Sequence, residues 1–318
     1  MVNSAILNLV KEYSKREHIK TIPQKNSALP EKMQMIYNIN WEKNTESAPY
    51  EILTQIMDCY YCLPERPDLA SLFCWQAINH SYNELLLTDS GCNRLSDSKG
   101  ISKLVEAILN NYSVYKDFLE PFIKNLPDKA YRYVASYVLK GYTIKTSGKE
   151  QKFYTQSYLN FTKEYKELDK VISDTFGDIM FKASNVKLDN NIARIHVDAE
   201  KNRALTRALA IKLRQLVENK NAKFEMKDGT SRTVEFEDKD VVLFVIEFIL
   251  YASRCSNFHG NVASRLNSDK ASENTFEMYT NIFLLEYMIL AISLHIQGYI
   301  TEDNLVQVKN NQQFLFNN

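Results

Sequence analysis

The sequence predicts an all-α protein, and three observations lead there. The chain has 318 residues but only 8 Gly and 7 Pro, so few positions break regular structure. Hydrophobic residues make up 45% and charged residues 25%, an ordinary globular composition with enough apolar mass for a real core. The apolar residues recur mainly at three- and four-residue spacing, the period of a helix with one buried face.

Residues 1–50 are polar and broken by Pro23 and Pro30. A helix over about Ser4–His18, with Ile6, Leu9 and Val10 on one face, opens a peripheral arm. Glu51–Cys62 has helical spacing and stops at Pro64 and Pro67. Asp68 suits an N-cap for a strong helix, Leu69–Thr88, which Asp89-Ser90-Gly91 closes. Residues 92–100 read as a polar loop. Three shorter helices follow, Ile101–Asn110, Tyr115–Lys124 and Asp128–Lys140, the last started by Pro127. Residues 141–153 are polar and fit either helix or loop. Tyr154–Phe181 is helical again, with Gly177 as a weak point. Asn190–Glu218 reads as a long charged amphipathic helix carrying Ile195, Leu205, Leu209, Ile211, Leu213 and Leu216.

Residues 222–237 change period. Alternating residues on either side of Asp228-Gly229 predict one small β-hairpin. Asp238 and Asp240 then start an apolar helix that leads to Arg254. Thr275–Gly298 is the last major helix; it is apolar nearly all round, so it belongs in the core or in an oligomer interface. The expected organisation is an arm over 1–50, a helical domain over 51–300 with an insertion at about 92–190, and a tail over 301–318.

Lys+Arg and Asp+Glu each number 39, so the formal net charge is zero. A general nucleic-acid binder is usually basic, so any such site here is a local patch. No run reaches about 18 apolar residues, and the start of the chain lacks the apolar stretch and cleavage site of a signal peptide. Five cysteines without framework spacing fit reduced thiols in a cytoplasm. Cys59-Tyr60-Tyr61-Cys62 is a lone pair, and Cys74, Cys92 and His80 do not complete a familiar zinc set. These cysteines read as buried thiols. No phosphate loop, metalloprotease helix, nucleophile elbow or dinucleotide fingerprint occurs, so no cofactor or metal is expected.

The chemistry concentrates in Arg254-Cys255-Ser256-Asn257-Phe258-His259-Gly260. Arginine offers phosphate a permanently charged planar fork, and histidine exchanges a proton near neutral pH. Five positions apart on one helix, the two side chains would diverge by about 140°. They can converge only if the helix ends between them and the chain turns back. Gly260, Ser256 and Asn257 suit such a junction. Taken alone, the pair also fits a plain helix end, where the dipole favours a cation. A second candidate is Asn79 in Trp75-Gln76-Ala77-Ile78-Asn79-His80-Ser81-Tyr82, an amide beside the inner face that must find partners.

These segments together resemble the HEPN family. Arg254 and His259 with Gly260 at the end of an apolar helix look like its Arg-x4-6-His motif. The Trp75–Tyr82 helix is similar to the family's first helix, and Thr275–Gly298 to the helix that closes its bundle. The likeness covers about 68–90 and 238–298. It implies an HEPN-like helical bundle with inserted helices, paired with a second copy so that two Arg–His motifs form one metal-independent ribonuclease site. On that reading His259 acts as general base or acid and Arg254 holds the scissile phosphate, while Asn79, Asn257 and Ser256 support the site. The implied product carries a 2′,3′-cyclic phosphate, and the implied context is a toxin or an anti-phage abortive-infection effector. The chain departs from the family at Cys255, where a polar residue is common, and at Asn261, where one subgroup carries a modifiable tyrosine.

His80 reads as a surface residue, and His196 as part of a solvated charged face. Lys201, Arg203, Arg207, Lys212 and Arg214 form a solvated helix face or line an RNA path. The alternative to an enzyme is a non-catalytic helical dimerisation or protein-binding module, or the regulatory subunit of a toxin–antitoxin or defence complex. The expected partners are therefore RNA, a second copy and a regulatory protein, with no membrane.

Overall fold

Helices carry most of the regular structure in the computed structural model, which describes residues 10–12, 14–20, 22, 27–88, 95–189, 192–258, 266 and 271–315. Contacts divide the chain into two compact units, 1–126 with 254–318, and 127–253. The division falls at different points from the expected 92–190 insertion. The helices Asp97–Leu109 and Tyr112–Lys124 belong to the first unit, and the second extends on to Ser253.

The first unit is built on the helix Glu273–Ile296, buried on every side from Thr275 to Leu294 except Glu277. Its length and composition would also suit a membrane span, but here the helix Pro67–Leu87 packs along it. The latter begins with Pro67 at its first turn, where the missing N–H costs nothing, rather than at an Asp68 cap. Helices Tyr50–Cys62, Asp97–Leu109 and Tyr112–Lys124 complete the packing. Some polar residues inside this core answer one another. The Ser81 and Ser293 hydroxyls lie 2.6 Å apart, and Asn281 donates to the Asn125 carbonyl at 3.0 Å.

Part of the arm expected over 1–50 is fixed to the core. The extended segment at 34–38 is tied down by backbone hydrogen bonds. Ile36 N donates to the Tyr287 hydroxyl at 2.6 Å, and Gln34 exchanges two hydrogen bonds with the Asn311 side chain. Residues 4–9 and 13 of the helix expected over Ser4–His18 lie outside the described residues; a short helix spans Lys15–Lys20. The expected tail at 301–318 is instead largely a helix, Glu302–Lys309, continued by a 3-10 turn to Phe314. Thr301 caps it reciprocally with Asn304, and Leu305, Val308 and Phe314 are buried, so the segment is part of the core.

In the second unit, Asp128–Thr146 packs against Ala199–Asn219. The first of these runs six residues past its expected end at Lys140, because Gly141 lies against the Tyr158 ring and Thr143 and Ile144 are buried. Gln156–Glu164, Lys166–Ile172, a π-helical turn at Ser173–Gly177 and Asp178–Lys182 replace the single helix read over 154–181. Tyr165 gathers Phe161, Phe236, Phe244 and Phe248 around its ring, with centroids 5.2–5.8 Å away.

Among the described residues there are two hairpins, not one. The predicted one forms as β3 (Asn221–Glu225) and β4 (Ser231–Glu235), with Gly229 at φ +81° in the turn. The other pairs β1 (Ser184–Asp189), where no element was expected, with β2 (Ile192–Val197), which occupies residues expected to start the long charged helix. The reason lies in the pattern Val186, Leu188 and Ile195, Val197, which alternates with period two. The helix itself begins at Ala199, where Asp198 caps it by accepting from the Glu200 and Lys201 amides at 3.0 and 3.1 Å.

Candidate active site

The helix that presents Arg254 starts with a reciprocal cap. The Glu237 side chain accepts from the backbone at Asp240, and the Asp240 carboxylate accepts from Glu237 N at 2.9 Å. Asp238–Leu243 is α-helical, and Phe244–Tyr251 then winds as a π-helix, so that the Ala252 amide reaches the Glu247 carbonyl. Such turns are rare, cost backbone energy and occur often at functional sites. The helix Asp128–Thr146 of the same unit supports this segment from the side. The Tyr133 hydroxyl donates to the Ala252 carbonyl at 2.8 Å and Tyr137 to the Phe248 carbonyl at 3.4 Å. These two rings pack edge to face, 5.6 Å apart. Burial raises the Glu247 carboxyl above its ordinary range, against the opposing effect of the Asn160 amide, which donates to it at 2.9 Å. Tyr133 and Tyr137 were not singled out from the sequence; their four-residue spacing was the available signal.

An α-helix resumes over Ala252–Phe258. Arg254 is half-buried in it, with Nη1 3.9 Å from the Cys255 sulfur. The backbones of Ser256 and Asn257 are helical, so neither forms the turn expected between Arg254 and His259. The apolar helix simply propagates four residues past the arginine. His259 and Gly260 lie outside the described residues, as do the side chains of Ser256 and Asn257.

Asn79 is half-buried on Pro67–Leu87 and accepts a hydrogen bond from Asn83 Nδ2 at 2.9 Å, one turn along. The amide pair holds Asn79 Oδ1, leaving its own N–H groups to other partners. His80 is also half-buried, with Nε2 3.5 Å from Glu84. Asn79 and Arg254 both belong to the first unit, on different helices.

Cys59 and Cys74 are fully buried and in contact, and burial raises the Cys74 thiol well above its ordinary value. Cys62 is pushed up to about 11 by the same cause. Cys59, Cys62, Cys74 and Cys255 are free thiols, and among the described residues no three His, Cys, Asp or Glu side chains cluster as a cation site. The chain matches no protein-family model, no curated protein and no solved structure.

Proposed function

We propose that the chain is an HEPN-type endoribonuclease that cleaves single-stranded RNA at a site shared between two copies. The observation that carries this reading is Arg254 half-buried in the helix Ala252–Phe258, three residues past a supported π-wound segment, with His259 five positions further along the sequence. A guanidinium fixed this way can bind the scissile phosphate and meet charge as it develops on the oxygens. His259 would take the proton from the ribose 2′-hydroxyl or deliver one to the leaving 5′-oxygen. The nucleophile then belongs to the substrate, and no metal is required for the bond to break. Use as a toxin or an anti-phage effector is the biological setting we infer for such an activity.

The test is cleavage of a mixed single-stranded RNA in EDTA by the parent chain, Arg254→Ala and His259→Ala. The reading expects loss of at least about a hundredfold in each variant, the scale of one general acid–base group or one charge-stabilising donor. Equal cleavage by all three would place the activity elsewhere.

A second reading, a protein-binding module, is favoured by one feature. Tyr50, Met57 and Tyr61 lie on one face of Tyr50–Cys62 and are 73, 65 and 88% exposed. Large apolar side chains grouped on a surface mark contact sites. That reading expects no RNA cleavage, together with a stable complex that Tyr61→Asp dissolves.

A further inference from the structure

We propose that the outward face of Tyr50–Cys62 docks a basic amphipathic helix of a partner protein. This helix has two apolar faces. Ile52, Ile56 and Cys59 are buried, and the helix packs along Pro67–Leu87. Tyr50, Met57 and Tyr61 form the other face and stand in solvent. At about 100° per residue, these three and Thr54 fall within about 60° of one another, about half a turn round from the buried set. A surface helix needs one apolar stripe to hold it on a core. The second stripe has no such work inside this chain.

The spacing of the stripe is that of helix against helix. Residues 50, 54, 57 and 61 are four, three and four apart, the alternation with which one helix sets its side chains between those of another. Tyrosine brings a large rigid ring with a polar tip, and methionine adapts to the surface it meets.

Charge decides which helix fits. Glu51 and Asp58 are exposed, seven apart on one border of the stripe, each directly after a stripe residue. Neither belongs to an ion pair among the described residues. Tyr50–Cys62 contains no Lys or Arg. In paired helices, border residues meet the border residues of the partner and set its identity. A second copy of this helix laid antiparallel would put Glu51 and Asp58 against themselves. Laid parallel, it would put them against Leu53 and Tyr60. Neither arrangement offers a cation, and RNA or an anionic membrane would be repelled. The complement is an apolar stripe bordered by Lys or Arg. The inference rests on the protein-binding reading above for the face being a contact, and it holds whether or not the chain also cleaves RNA.

The test uses two fluorescent model helices of three heptads, both with Leu and Ile in the stripe. One carries Lys on both borders, which keeps it from pairing with itself, and its twin carries Glu. In fluorescence anisotropy the full-length parent should bind the Lys helix at least tenfold more tightly than the Glu helix, and the difference should shrink at high salt. Met57→Gln with Tyr61→Gln should weaken Lys-helix binding at least tenfold, with an unaltered circular dichroism spectrum. Glu51→Lys with Asp58→Lys should reverse the preference, which loss of folding could not do. Equal binding of the two helices by the parent, lost in Met57→Gln with Tyr61→Gln, would keep the face as a contact and reject the basic partner. No Lys-helix binding, or binding that survives the same double variant, would reject the face as well. Self-association of the chain that this variant abolishes would give the face to a second copy instead.

Discussion

Glu286 is 1% exposed inside the most apolar helix of the chain, and burial raises its carboxyl well above the ordinary range despite a hydrogen bond from Ser71. Its Oε2 has no hydrogen-bond partner among the described residues, as fits a neutral acid. A carboxyl whose pKa is higher folded than unfolded lends stability at low pH and loses it as pH rises from its unfolded value toward its folded one. Asp169 and Glu247 are raised too and act in the same direction. Stability should therefore fall as pH rises above the ordinary carboxylate range, by at most about 1.4 kcal/mol per pH unit for each group. Glu286→Gln should flatten that fall, as read by thermal melts across the range; parallel curves for parent and variant would refute the assignment. Gly100 gives a second test at this scale. A Cβ there would meet the Tyr82 ring at 2.2 Å, so Gly100→Ala should cost about 1–3 kcal/mol in chemical denaturation, and a neutral result would mean that the two helices part freely. Neither residue was legible beforehand, because a lone Glu in an apolar run and a lone Gly in a helix declare themselves only through their neighbours.

At the scale of elements, the legible segments were those with one strong period. Glu273–Ile296 is apolar all round, which leaves no other place for it than a core. The β3–β4 hairpin carries Asp-Gly at its turn, a local signal that needs no tertiary context. Strand β2 was hidden because Arg194 and His196, followed by Asp198 and Glu200, look like the start of a charged helix. The terminal helix Glu302–Lys309 was hidden by its shortness. The π-winding of Phe244–Tyr251 leaves no trace in composition; it is visible only through the tyrosines that meet its carbonyls. Tyr133→Phe should remove one such bond at a cost of about 1 kcal/mol. If the π-turn sets the position of Arg254, the same change should also slow RNA cleavage more than it lowers the melting temperature would explain. An unaltered rate would show that the turn is structural alone.

For the whole molecule, charge is balanced overall but not between units. Residues 127–253 hold 22 Lys and Arg against 18 Asp and Glu, and the remainder has the reverse sign. The overall balance of charge was legible from composition; its uneven division between the units required the fold. A composite site makes a prediction about mass. The active species should sediment as a dimer of the 37.0 kDa chain, with activity falling as the square of concentration below the dissociation constant. Activity proportional to concentration, with a mass of one chain, would contradict it.

The central claim is that Arg254 and His259 cleave RNA by using the substrate's own 2′-hydroxyl. The most direct measurement compares, in EDTA, an oligoribonucleotide with the same oligonucleotide lacking 2′-hydroxyls, and reads the product ends by mass spectrometry. The account predicts cleavage of the first alone, leaving 2′,3′-cyclic phosphate and 5′-hydroxyl ends. Cleavage of both, or 5′-phosphate ends from either, would contradict it.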